Sequence, residues 1–300
     1  MSMSFRVATI VFLTGLSQSA EAAENGENSV ILGVDTMVHA RTPPPGWYFS
    51  SFTQLYLAGH SERHGVDVPG FRLVLFVQGG RLQHVWKPQL FGHSISTDML
   101  IPVSWADIRV AGRSDNQVGM GDIQFVPLRL SNRFEVGSGS FAYAAFSKVV
   151  TPTGLYRTEP NAIASPGTNH WAFAPSVALT YFSATLNVGT TIGYVFNTKN
   201  PATHYVNGQE FQIDYVAEHK WFDAFWGGAC GYFYEQMTDD VNPDPAVPGD
   251  VGNQGRVLGL GAQLRREFSF GNINVKWIHE VLAENRAEGD RFFVQLFLPL

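Results

Sequence analysis

The stretch Asp290–Leu300 reads DRFFVQLFLPL, with Phe292, Val294, Leu296, Leu298 and Leu300 apolar at every second position. Successive side chains of a strand point to opposite faces, so this spacing predicts a strand with one wholly apolar face. The same period-two character recurs from Gly46 onward in short segments separated by Gly, Pro, Asn and Asp clusters. Twelve strands are predicted, starting near Trp47, Phe71, Leu90, Met120, Ser140, Trp171, Leu186, Gln209, Trp221, Arg256, Ile273 and Arg291. A sustained helical period with caps is nowhere in the series.

The connections narrow the fold class. Long polar ones (HSERHGVDVPG after Gly59, the stretch from Thr151 to His170, NTKNPATHYVNG, and the acidic loop from Thr238) alternate with short ones. The short ones are KPQ at Lys87, SNRFEVGSG at Ser131, SA at Ser183, HK at His219 and GN at Gly271. Outer-membrane barrels show this asymmetry, together with an even strand number. In the segment from Trp171, one parity carries Trp171, Phe173, Val177, Leu179 and Tyr181, and the other Ala172, Ala174, Ser176, Ala178 and Thr180. Aromatics at strand ends and aliphatics between them match two interfacial girdles around an apolar band. A soluble sandwich would bury that face. The expected fold is therefore all-β: a transmembrane antiparallel up-and-down β-barrel of about twelve strands in a Gram-negative outer membrane. Its C-terminal strand has the form of a barrel-insertion signal, so the assembly machinery is an expected partner along with outer-membrane lipids.

At the other end, Arg6 precedes the apolar run VATIVFLTGL, and Ala20 and Ala22 supply small residues for cleavage. Residues 1–22 read as a secretory signal peptide. Residues 23–46 form an N-terminal luminal or periplasmic segment, and 47–300 the barrel. The segment pairs SVILGV with a stiff TPPPG bend and has no strand partner in the alternating series. The net charge of −6 argues against nucleic acid. Cys230 is the single cysteine, which rules out an intrachain disulfide.

The parity opposite the apolar rows collects the charges. Asp122, Lys148, Asp214, Glu235, Arg265, Lys276, Glu280 and Arg291 are expected to line the channel, joined by Phe225, Phe233, Phe293 and Phe297. Arg72, Asp223 and Phe76 are read onto the same inner face. So many inner Phe rings suit a path that touches an apolar solute better than a sieve for ions. Catalytic signals are weak. GHSIS (Gly92–Ser96) lacks the closing Gly of a nucleophile elbow, and His60 and His64 lie in a connection. No catalytic residue, cofactor or metal is expected.

The chain resembles the bacterial outer-membrane channels of the phenol-degradation meta-pathway family. The likeness rests on PPPGWYF at Pro43, GMGDIQFVPLRL at Gly119, VVTPTGLY at Val149, GTNHWAFAPSVALTYF at Gly167, and YVFNTKN with HYVNGQEFQIDY up to Tyr215. The resemblance implies a monomeric twelve-stranded barrel with the N-terminal segment inside the lumen, serving uptake of hydrophobic molecules. The expected function is passive entry of small hydrophobic or aromatic solutes. Two other readings stand beside it: a barrel enzyme acting on lipids, and a structural or surface-binding barrel with a plugged lumen.

Overall fold

The computed structural model describes residues 28–35, 40–159, 162–241 and 254–300. The residues read as a signal peptide lie outside these. Fourteen strands are found among the described residues: β1 (Gly46–Arg63), β2 (Val66–Asp67), β3 (Arg72–Leu90), β4 (His93–Val110), β5 (Arg113–Met120), β6 (Gln124–Val136) and β7 (Gly139–Val150). The others are β8 (Ala172–Phe182), β9 (Leu186–Asn197), β10 (Glu210–Phe222), β11 (Phe225–Gln236), β12 (Arg256–Phe268), β13 (Gly271–Glu284) and β14 (Ala287–Pro299).

The ring closes because β14 pairs antiparallel with β1, from Tyr48↔Pro299 to Ser61↔Ala287. β2 only extends the end of β1, and β5 pairs only with β4. Setting these two aside leaves twelve strands in the ring. Closure removes the unpaired edges that an apolar solvent could not satisfy. The eleven residues of β8 reach about 36 Å, or about 28 Å along the axis at a tilt of about 40°. That matches the apolar band of an outer-membrane barrel.

The outer wall carries Ile101, Val103, Trp105, Phe173, Val177, Val188, Leu260, Leu264, Val275, Phe292 and Val294, all uncovered by protein. Between them the inward positions hold polar and charged side chains, with Asp214, Glu218, Arg265, Lys276 and Glu280 buried. A soluble protein has the reverse arrangement.

Several strand ends differ from the sequence reading, and turn chemistry explains them. The β3–β4 connection is not at KPQ but at Phe91–Gly92, where both residues have positive φ (49° and 77°). His64–Gly65 and Ala111–Gly112 adopt the same conformation. These two-residue turns match the twist of the flanking strands. Pro88 instead sits within β3 at a register shift between Val85 and Gln89. The turn after Ala111 makes β4 and β5 a hairpin that projects past the ring, so the strand expected at Met120 starts only at Gln124. Pro127, which has no N–H, interrupts the pairing of β6 with both neighbours.

Residues 151–159 and 162–171 include the stretch that packs along β5. Leu155 N–H donates to the Met120 carbonyl (2.8 Å), and Arg157 forms a 2.8 Å ion pair with Asp115. The Asp122 carboxylate accepts from Gly154 N–H (2.8 Å) and from Thr168 N–H and hydroxyl (2.7 and 2.8 Å). Gly154 and Gly167 touch backbone to backbone, so a Cβ on either would come within 2.7 Å of the other.

Candidate functional site: the lumen and its inner segment

Residues 28–35 and 40–45 run along the inside of the barrel. Near the long-loop end, the Ser29 hydroxyl meets His170 Nε2 (3.1 Å) and donates to Asn197 Oδ1 (3.0 Å). Arg286 donates to Asn28 Oδ1 there (2.7 Å). Val30 packs on Val150, Ala172, Ala174 and Val195. The small inner residues of β7 and β8 thus leave room, and part of that room is taken by this segment. Leu32 and Val34 enter the main core with Phe52, Val77, Leu100, Val216, Tyr232, Ile278 and Phe293.

Polar groups on four strands grip the same stretch. Asp214 accepts from the N–H of Gly33 (3.1 Å) and of Asp35 (2.8 Å). Lys148 donates to the Asp35 carboxylate, and Lys276 to the Gly33 carbonyl. Gln295 Nε2 donates to the Val34 carbonyl (2.9 Å). A segment without strand partners has backbone groups that need partners once buried. The wall side chains supply them.

Other charges brace the wall. Glu280 accepts from Tyr56 OH (2.7 Å), Arg291 Nε (3.0 Å), Gly289 N–H (2.9 Å) and Tyr232 OH. Glu218 accepts from Arg265 (2.6 Å), Gln263 (2.9 Å) and Asn187 (2.8 Å). Buried pairs with this many partners fix geometry, and removing one partner leaves an uncompensated charge.

Below the inner segment, at the short-turn end, lies a cavity of about 820 Å³. Its walls include Pro43–Pro45, Phe52, Phe182 and Phe297 together with Arg41, Arg81, Arg129, Arg133 and Arg265. Acidic groups there are Asp35, Asp98 and Glu267. Phe297 stacks on Tyr48 at 5.5 Å between centroids, and Tyr48 OH donates to the Pro44 carbonyl (2.7 Å).

Of the residues expected to line a channel, Lys148, Asp214, Arg265, Lys276, Glu280, Arg291, Phe293 and Phe297 point inward. Phe293 is buried beneath Lys276, whose Nζ stands 4.6 Å from the ring centroid. Phe225, Phe233 and Glu235 point outward instead, because the inward parity of β11 is that of Trp226, Cys230, Tyr232, Tyr234 and Gln236. Phe225 lies under the exposed Arg266, and Glu235 pairs with Arg256 on the outside (2.7 Å). The turn preceding β11 is Asp223–Ala224, not His219, which places Asp223 in a connection. Phe76 and Arg72 also share the outward parity of β3. Asp122 clamps the long loop rather than facing the lumen.

The segment of residues 23–46 and Arg265 were expected in the lumen; the other cavity arginines of the wall were not. Arg81, Arg129 and Arg133 alternate with apolar neighbours, but each sits on a strand whose register is broken or was misread. Within GHSIS, His93 bonds to Tyr143 OH (2.8 Å) and Ser96 accepts from Gln83 (3.2 Å). Ser29 and His170 are buried in the lumen, with His170 Nδ1 against the Thr168 carbonyl (3.0 Å). That contact holds the inner segment in place.

A family described as "Putative MetA-pathway of phenol degradation" matches residues 59–296. The chain belongs to this family. Among solved structures, an outer membrane channel from Pseudomonas putida F1 superposes with a TM-score of 0.75 at 13% identity, covering 89% of this chain and all of that one. The transport unit of the autotransporter AIDA-I from Escherichia coli follows the same ring at a TM-score of 0.50 and 8% identity, over 88% of this chain and 93% of that one. No curated protein sequence matches. The family thus extends over nearly all of the barrel, and the fold is that of outer-membrane β-barrels.

Proposed function

We propose that this family member is an outer-membrane channel for passive entry of small hydrophobic or aromatic compounds. Its long-loop end faces outward and its termini face the periplasm, the sidedness usual for such barrels. The observation that carries the reading is the pairing of an inner segment, whose Leu32 and Val34 are buried in the apolar core of the lumen, with a cavity beneath it walled by prolines and aromatic rings as well as by charged side chains. A general sieve needs an open, polar bore, whereas an apolar constriction opposes ions by dewetting. The Pseudomonas putida protein of similar fold is itself an outer membrane channel, which supports the class. The outward Trp and Phe residues make outer-membrane lipids the surrounding partner.

Purified protein in liposomes tests this. Influx of a neutral monoaromatic compound should exceed that of empty liposomes several-fold, while a disaccharide should enter no faster than into empty ones. Equal entry of both would make the barrel a general diffusion pore, and entry of neither would leave a structural barrel.

A further inference from the structure

The cavity at the short-turn end carries more cationic side chains than the wall needs. Arg129 is held by Asp98 (3.1 Å), and Arg265 by Glu218 and Glu267 (both 2.6 Å). Arg81 stands between Asp35 (3.6 Å) and Asp98 (3.7 Å). Among the described residues, no carboxylate lies within 4.0 Å of Arg41 or Arg133. Both are solvent-exposed and both line the cavity.

Their surroundings are specific. The Arg41 guanidinium lies over the Phe182 ring, 4.3 Å from its centroid. Stacking of this kind holds the planar fork in place and leaves its edge free for hydrogen bonds. Arg133 projects from the lumen side of β6, beside the buried Ala142 with which it pairs across to β7. On the β14–β1 side, Phe297, backed by the stacked Tyr48 ring, and the Pro43–Pro45 run form an apolar part of the cavity wall. A guanidinium edge matches a carboxylate bidentately, and the apolar wall matches a ring.

We propose that this cavity is a binding site for small aromatic carboxylates, with Arg41 and Arg133 taking the carboxylate and the Phe297–proline wall taking the ring. The inference rests on the channel reading above and names a solute class for it. Because Arg41 belongs to the inner segment, a bound anion would contact both that segment and the wall.

Binding to detergent-solubilised full-length protein, followed by calorimetry with benzoate, benzyl alcohol, acetate and inorganic phosphate, tests the assignment. Benzoate should bind about tenfold or more tighter than each of the other three. The Arg41→Gln/Arg133→Gln double variant should lose that preference, while Arg133→Lys should keep part of it. Heat-modifiable mobility on gels checks that each variant folds. Equal binding of benzoate and benzyl alcohol would overturn the role of the arginines. Acetate or phosphate binding as tightly as benzoate would reduce the site to a general anion site and overturn the aromatic assignment. Benzoate binding unchanged in the double variant would overturn it outright. The two readings fail separately: neutral aromatic influx without benzoate preference sinks only this inference. Benzoate binding without any aromatic influx supports the site and sinks the channel.

Discussion

Asp35 of the inner segment and Lys148 of β7, 113 positions apart, form a buried ion pair inside the barrel. Arg81 approaches the same carboxylate at 3.6 Å, and Asp214 takes the Asp35 backbone N–H. The pair therefore ties a segment that has no strand partner to a wall that does. Neutralising one side leaves a buried charge, a change that costs about 3–5 kcal/mol in comparable pairs. The inner segment, not the ring of backbone ladders, is the part able to yield. Asp35→Asn is expected to raise single-channel conductance and its fluctuations while heat-modifiable mobility stays that of wild type. Conductance identical to wild type would mean that the pair does not hold the segment.

The two faces of the wall separate by mutation. Phe233 points outward and Phe293 inward beneath Lys276. Phe233→Asn should leave solute influx unchanged and lower barrel stability by about 2 kcal/mol, the order of one large apolar side chain removed from an apolar surrounding. Phe293→Asn should alter ion conductance. Urea unfolding in lipid vesicles together with planar-bilayer recording checks both, and a Phe233 variant with changed conductance would contradict the assigned faces.

Long-loop and short-turn ends can be told apart on cells. Cysteines replacing His64 and Thr203 should react with an impermeant thiol reagent on intact cells, and one replacing Phe91 should not. Cys230 is buried and should stay silent. Labelling at Phe91 alone would invert the barrel.

The long loop has its own pH dependence. Burial pushes the Asp115 carboxyl up, but the Ile163 N–H, the Arg157 guanidinium and the Ala164 N–H together hold it below its ordinary value. A lowered folded-state value contributes stability above the ordinary carboxylate range, lost as pH falls through the folded value. Protection of residues 151–171 from an acid-active protease should therefore persist through the ordinary Asp range and fail below it. Asp115→Asn should remove that step. Protection lost equally at neutral pH and in acid would show that the carboxylate does not anchor the loop.

The ring itself was legible in the sequence because alternation in strands such as Ala172–Phe182 repeats without a break. Parity failed where local chemistry misleads. In β11 the hydroxyls of Tyr232 and Tyr234, not the charge of Glu235, mark the inner face. Glu235 lies where its strand leaves the apolar band, and there a charge is tolerated outside. The turn at Phe91–Gly92 was missed because Phe is a poor signal for positive φ. Of the lumen, the braces Glu280 and Arg291 could be read from periodicity. Most of the grip on residues 28–35 could not, since the Gly33 N–H and carbonyl, the Val34 carbonyl and the Asp35 N–H are backbone groups that no side-chain pattern encodes.

The central claim is that the barrel's own N-terminal segment narrows its lumen, and removal of residues 23–41 tests this most directly. Single-channel conductance of the refolded variant should rise several-fold over wild type, with a disaccharide now entering liposomes. A correctly folded variant with wild-type conductance and no sugar entry would contradict the account.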